Sequence, residues 1–337
     1  MKTRSKKRLL TGDRPTGGLH LGHYVGSIQN RIKLQDEYDS FFIIADLQVY
    51  TDQIQKAKRV GENIYELMAD YLALGLSENN TFFIQSQVPE LAELTIYLSF
   101  LTQVSRINRN PTLKNEIKMY GTKSISLGLY SYPVSQASDI LAFNPDVVPV
   151  GKDQLPHIEL TRVLARKFNR DYSNVFNIPK GLLGDTPILV GTDGQDKMSK
   201  SLNNAIFLSD KDEDIHNKVM KMYTDPNRVR ATDPGKVEGN PLFVYHRLFN
   251  PDVKEVLDFE TRYKNGTVGD VEVKKRLSEV LIDFIAPIRS KREKYIKDKG
   301  HIDSVLKRGI NNARMVATET VSGVRKGLGI NYGDKFR

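Results

Sequence analysis

Through the first 190 residues of this chain, short apolar runs alternate with longer amphipathic periods. Arg8–Thr11, Ser40–Ala45, Thr81–Gln85, Val147–Val150 and Pro187–Val190 are short and nearly unbroken runs rich in Phe, Ile and Val. Such runs predict strands covered on both faces. Between them, Ile54, Ala57, Val60, Ile64, Leu67, Tyr71 and Leu74 recur at steps of three and four, as do Leu91, Leu94, Leu98 and Leu101 after Pro89-Glu90. These spacings predict helices, the second opening at its proline. Strand–helix–strand repetition implies an α/β fold, a doubly wound parallel sheet of the Rossmann-like kind with helices on both faces.

Two departures from that rhythm set the domain plan. Residues 86–146 form a longer mixed stretch carrying Arg106, Arg109, Lys114, Lys118 and Lys123, read as an inserted helical segment joining two half-sheets. After about Ser209 the strand signals fade, and helical patterns run through Lys218–Met222, Leu242–Leu248, Val271–Ala286 and Ser304–Lys326. The expectation is a Rossmann-like domain over 1–208 and an all-α domain over 209–337.

Composition narrows the picture. The chain has 337 residues, 39% apolar and 27% charged, enough for buried cores. It has no Cys, which excludes disulfides, thiolate metal sites and cysteine nucleophiles. No run of eighteen apolar residues exists, and the basic N-terminus leads only to Leu9-Leu10, too short for a signal-peptide core; the expectation is a cytoplasmic protein with no membrane span. The net charge is +9, and from Leu281 onward 13 Lys/Arg stand against 6 Asp/Glu. That tail reads either as a solvated helix surface or as a footprint for a phosphate backbone.

Two segments carry candidate chemistry. Thr11 to Tyr24 leaves the first strand, turns through Gly17-Gly18 and enters a helix expected to reach about Leu34. Such a turn presents free backbone N–H groups and a positive helix end to an anion. His20 and His23, three apart, share a face and offer N–H donors, while Gly22 leaves a flat surface for a purine. A histidine pair at this spacing could instead hold zinc, but no third ligand or nearby acidic partner supports that. The second segment is Lys197-Met198-Ser199-Lys200-Ser201 after a glycine-containing stretch, where two ammonium groups and two hydroxyls can cradle a polyphosphate.

With both segments in one α/β unit, the chain resembles the class I aminoacyl-tRNA synthetases. His20–His23 matches the first signature, with Leu21 where Ile is usual, and Lys197–Ser201 matches the second. Pro15–Tyr24, Ile44–Leu47, Gln85–Pro89, Tyr132–Ile140, Val148–Gln154 and Glu159–Arg162 extend the likeness over nearly the whole chain, toward the tryptophanyl-tRNA synthetases. The resemblance implies a tryptophan–tRNA ligase that uses ATP, with Mg²⁺ held through the phosphates and no protein metal site. It implies His20, His23, Lys197 and Lys200 as the catalytic groups. ATP would meet Gly12, Arg14, Pro15, Thr16, Gly22 and His23 on one side, and Gly151, Lys152, Asp153 and Ile188 on the other. Lys197, Met198, Ser199, Lys200 and Ser201 would close over it.

Tryptophan falls, on the same resemblance, to Asp139 at the indole N–H, with Tyr132 and Gln154 near the amino group and Gln136 and Gln48 lining the pocket. Gln136 stands where Met is usual and Gln48 where His is usual, so detailed pocket shape is not carried over. On spacing alone Asp139 could equally cap or pair locally. The pyrophosphate lysine of the inserted segment is either Lys114 or Lys118. The resemblance further implies a homodimer joined through that segment, and tRNA(Trp) bound by the helical domain at its anticodon. Three rivals stay open: a tyrosyl-tRNA synthetase, a catalytically silent RNA-binding relative, and a small nucleotidylyltransferase. The four signature His and Lys residues argue against the second. The Lys197–Ser201 loop and basic tail argue against the third.

Overall fold

The computed structural model describes residues 6–51, 57–120, 125–151, 154–183, 188–225, 228, 230 and 232–333. In chain order the elements are β1 (Arg8–Asp13), α1 (Leu21–His23) running through a π-helical stretch (Tyr24–Ile28) into α2 (Gln29–Leu34), β2 (Asp39–Ile44), α3 (Val60–Ala73) and β3 (Thr81–Ile84). Then come α4 (Glu90–Leu101), α5 (Val104–Ile107), α6 (Pro111–Tyr120), α7 (Leu127–Leu141), β4 (Val147–Val150), α8 (Leu155–Asp171) and β5 (Lys180–Leu183). The rest is helical: α9 (Asp212–Met220), α10 (Pro241–Phe249), α11 (Val253–Lys264), α12 (Asp270–Lys297) and α13 (Lys299–Gly327). The helical reading at Ile54 falls outside the described residues.

The five strands form one parallel sheet in the order β3-β2-β1-β4-β5, with Arg8 opposite Asp39 and Phe41 opposite Thr81. Alternation along β2 decides the two faces. Phe42 and Ile44 join Phe82 and the α3 residues Ile64, Leu67 and Met68 in one core, which continues into Leu277 and Leu281 of α12. Phe41 and Ile43 join Phe83 and residues of α4, α7 and α8 in the other. The doubly wound expectation holds. One strand differs. The expected Pro187–Val190 strand is not in the sheet: Ile188 is 76% exposed, Val190 makes only an isolated antiparallel bridge to Lys197, and Pro187 lies outside the described residues. Its sheet position belongs to Lys180–Leu183, paired with β4. As an edge strand it is mostly exposed and gives no apolar signal.

Helix α13 closes the opposite edge. Its first half contributes Ile302, Val305 and Leu306 to one core and its second half Ala313, Ala317 and Val321 to the other, so it crosses β3 between them. At the crossing stands Gly309, where a Cβ would come 1.9 Å from the Phe82 carbonyl oxygen. Asn312 Nδ2 donates to Thr81 Oγ1 at 2.7 Å, tying the helix to the strand. Among the described residues no helix is long and apolar enough to cross a membrane.

Candidate active site

The site gathers at the C-terminal ends of β1, β2, β3 and β4, where a parallel sheet leaves room for ligands. Gly12 is needed there, because a Cβ would meet the Ile43 carbonyl oxygen at 1.9 Å. The turn beyond it passes through Gly17 at φ +107°, which glycine tolerates best. Asn63 Nδ2 donates to the Pro15 carbonyl at 3.1 Å, and Leu19 N donates to Asp70 Oδ2 at 2.6 Å, so α3 holds the turn from below.

His20 and His23 follow at the helix start with ring centroids 3.7 Å apart. The His20 backbone N–H donates to His23 Nδ1 at 3.2 Å. Burial, then the charges of His23, Lys200 and Lys197, lower His20 to about 3. Burial also lowers His23 to about 4, against the pull of Asp13, with Lys200, Arg31 and Lys197 acting in the same direction as burial. Both rings are therefore neutral N–H donors near pH 7. The helix widens into π geometry immediately after them, as helices often do at functional sites.

The lysine loop lies against this turn. Gly22 N donates to Met198 Sδ at 3.2 Å, and a Cβ at Gly22 would come 3.0 Å from the His20 ring and 3.2 Å from Met198 Cβ. Lys200 Nζ donates to the Gly17 carbonyl at 2.9 Å and lies 3.5 Å from Thr16 Oγ1. Burial lowers the Lys200 pKa, while Asp70 and Asp13 hold it up. Ser199 and Ser201 hydroxyls are 3.0 Å apart, and Lys197 and Ser201 are exposed. Asn204 clips the loop: its Oδ1 accepts from Ser199 N at 2.7 Å and its Nδ2 donates to Asp193 at 2.9 Å.

Beside this turn opens a cavity of about 480 Å³, within the size range of small-molecule sites. Of the candidate residues, Gly12, Arg14, Gln48, Tyr132, Gln136, Asp139, Gly151 and Gln154 line it. Lys152 and Asp153 lie outside the described residues. Pro15, Thr16, Gly22, the two histidines and the lysine loop do not line it; they pack on one another around the glycine turn. Ile188 stands exposed at the foot of that loop. Lys114 and Lys118 are both exposed on α6, whose Thr112 and Glu116 reach the cavity wall.

At the cavity's inner end Asp139, on α7, is 5% exposed. Ser126 caps that helix by accepting from Leu129 N at 3.0 Å. Gln85 Nε2 donates to both Asp139 carboxylate oxygens, at 2.9 and 2.8 Å. Burial pushes the carboxyl up to about 7, against the Gln85 and Gln48 amides, which lower it. Gln136 Nε2 lies 3.4 Å from Gln154 Oε1, and the Tyr132 hydroxyl 3.2 Å from His157 Nε2.

Sequence reasoning missed several of these groups. Gln85 was legible only as part of a matched segment; its position just past a buried strand was the available signal. His157 had none. The third miss is a buried ion pair. Arg31 Nη1 and Nη2 donate to Asp13 at 2.6 and 3.2 Å, and the Tyr71 hydroxyl bonds the same carboxylate. Burial would raise Asp13, but the Arg31 charge and hydrogen bonds, with that of Tyr71, lower it overall. The pair braces the end of β1 beside the cavity.

Two neutral imidazoles and a lysine loop thus stand near a cavity of mixed polar and apolar lining at the C-terminal ends of a parallel sheet, where folds of this kind bind ligands. The family model for class I tRNA synthetases (W and Y) matches residues 2–286, and the chain belongs to that family. A tryptophan–tRNA ligase of Chlamydia caviae is 50% identical over 330 residues, covering 96% of each chain. Another of Borreliella burgdorferi is 47% identical over 331 residues, 97% of this chain and 94% of that one. Among solved structures, the tryptophanyl-tRNA synthetase of Campylobacter jejuni complexed with ADP and tryptophan superimposes with a TM-score of 0.84 at 31% identity, covering 96% of this chain and 99% of that one.

Proposed function

We infer that this protein is an ATP-dependent tryptophan–tRNA ligase: it activates L-tryptophan to the adenylate, releases pyrophosphate, and transfers the amino acid to tRNA(Trp). Full-length identity of 50% to a tryptophan–tRNA ligase carries this reading. The substrate carboxylate is itself the nucleophile toward the α-phosphorus, so no protein base is required and catalysis is positioning plus charge stabilisation.

The residues take roles that suit that task. The neutral imidazoles of His20 and His23 would donate N–H groups to phosphate oxygens, and the Gly17–Gly22 turn would add backbone N–H groups. Lys197 and Lys200 would neutralise charge as pyrophosphate departs. Gly12, Arg14, Pro15, Thr16 and Gly151 would contact the nucleotide, with Lys152, Asp153 and Ile188 alongside and Met198, Ser199 and Ser201 closing the loop. The donors facing this place are N–H, ammonium and hydroxyl groups, which suit an anion. Mg²⁺ would therefore be carried by the phosphate oxygens.

Tryptophan would lie in the cavity. Indole has one N–H donor and no acceptor, and the Asp139 carboxylate is an acceptor at a buried end. Tyr132 and Gln154 would meet the amino group, and Gln48 and Gln136 the walls. The basic helices of 209–337 would receive the tRNA anticodon, with Lys and Arg meeting phosphates. A homodimer would join through the inserted segment: Ile96, Phe100, Val104 and Leu127 all fall in 86–146, and they are 55%, 77%, 64% and 80% exposed. Such an enzyme would work in the cytoplasm, beside its tRNA. Tryptophan-dependent ATP–pyrophosphate exchange tests the reading; exchange driven by tyrosine instead, or by neither amino acid, would refute it.

A further inference from the structure

One buried charge pair joins α3 to α12, and none of the roles above uses it. Asp70 of α3 has no exposed surface. Its Oδ1 accepts from Arg292 Nε of α12 at 2.6 Å, across 222 residues of sequence. Arg292 also pairs with Glu66, one turn earlier on α3. The other oxygen, Oδ2, holds the Leu19 backbone N–H at 2.6 Å. Leu19 directly precedes His20, and Gly17, two residues earlier, gives its carbonyl to Lys200 Nζ. The turn rests on the pair: a Cβ at Gly18 would lie 3.6 Å from Asp70 Oδ2 and 3.9 Å from Arg292 Nη2.

A carboxylate and a guanidinium are costly to bury, and apolar residues of similar size often serve a core as well. What apolar residues could not do is accept the Leu19 N–H in a fixed direction. The carboxylate supplies the acceptor, and the planar guanidinium fixes its orientation. We propose that Asp70 and Arg292 are positioning residues through which α12 sets the glycine-rich turn, and with it the seat of Lys200, for adenylate formation. Neither touches substrate. Asp70 acts through the Leu19 N–H and Arg292 acts through Asp70. This rests on the functional reading above, which wild-type exchange activity tests before any variant is made; an inactive wild type overturns both.

Tryptophan-dependent exchange is measured for R292M, D70N, R292K and the double variant D70L/R292M, each shown to be folded by circular dichroism. The double variant leaves no net buried charge and covers a failure of either single variant to fold. R292M, D70N and the double variant are expected to lose about 10- to 100-fold in kcat, the scale of a slightly misplaced reacting group. KM for tryptophan should stay within about twofold of wild type, since the tryptophan end of the cavity is untouched. R292K still offers an N–H to Asp70 Oδ1 and should recover most of the rate. Cleavage by trypsin after Lys200 should be faster in R292M than in R292K, because the Nζ seat on Gly17 is loosened. Wild-type kcat in R292M, D70N or the double variant would overturn the proposal. So would R292K failing as badly as R292M, with kcat and the tryptophan KM degraded together as melting temperature falls, the pattern of a merely architectural pair.

Discussion

Replacing Asp139 by Asn should strengthen the fold above neutral pH and damage tryptophan recognition in the same molecule. Burial lifts this carboxyl from 3.8 to about 7 in the folded protein. Below pH 3.8 it is neutral in both folded and unfolded chains. Between 3.8 and about 7 the folded state holds a proton that the unfolded chain has released, so stability falls as pH rises, and the penalty is complete above about 7. A shift of about three units corresponds to something on the order of 4 kcal/mol. Asn carries no charge and escapes the penalty, so the melting temperature of D139N minus that of wild type should grow from pH 5 to pH 8. Asp70 is the same in both proteins, so its contribution cancels. Recognition should suffer because one amide oxygen cannot serve Gln85, Gln48 and the indole N–H together. A buried donor left unpaired costs about 1–3 kcal/mol, or roughly 5- to 150-fold in kcat/KM for tryptophan, while KM for ATP stays within about twofold. Thermal melts by circular dichroism at several pH values, and exchange kinetics with tryptophan varied, measure both. A melting difference that does not change with pH would refute the buried ionisation, and an unchanged kcat/KM would refute the indole contact.

Four further outcomes are expected. Lys197→Ala and Lys200→Ala should lower kcat for exchange by about two orders of magnitude or more, with a smaller change in ATP KM; the reverse pattern would assign the loop to ground-state binding. Because burial holds His20 at about 3 and His23 at about 4 in the free protein, kcat/KM for ATP should show no histidine titration between pH 6 and 8, and Gln at either position should retain more activity than Ala. Gly309→Ala would drive a Cβ into the Phe82 carbonyl and should cost about 1–3 kcal/mol of stability, read by denaturant melts; no loss would mean that α13 can lift off β3 freely. Phe100→Asp with Leu127→Asp should yield a monomer by light scattering if the inserted segment joins two copies, and an unchanged assembly would move the interface elsewhere.

The legible parts of this chain share a physical origin. Four strands, the helix at Pro89-Glu90 and the long C-terminal helices announce themselves because each buries an apolar face, which imposes a period on its own residues. The fifth strand does not, because Lys180–Leu183 lies at the sheet edge with little to bury. The Ile-Leu-Val run at 188–190 misleads for a related reason: part of it is exposed at the foot of the lysine loop, where Leu189 O accepts from Met198 N at 2.9 Å. The signature residues were legible because the glycine turn and the lysine loop are each continuous in sequence. Their partners were not, because Gln85, Asp70, Arg31 and Asn204 act through residues far away in the chain or through backbone groups with no sequence identity.

By itself, then, the amino-acid order determined the element types, the parallel α/β class, the two signature segments and the family they announce. Those depend on local periodicity and turn chemistry, which neighbouring residues decide together. Only the tertiary structure decided that β3 is an edge covered by α13, that Lys200 seats on the Gly17 carbonyl, and that Asp139 answers to Gln85. It also decided that Arg292 reaches Asp70 across 222 residues. Strand order and helix crossing are set by how two faces of one sheet can be covered at once, and that depends on the whole chain.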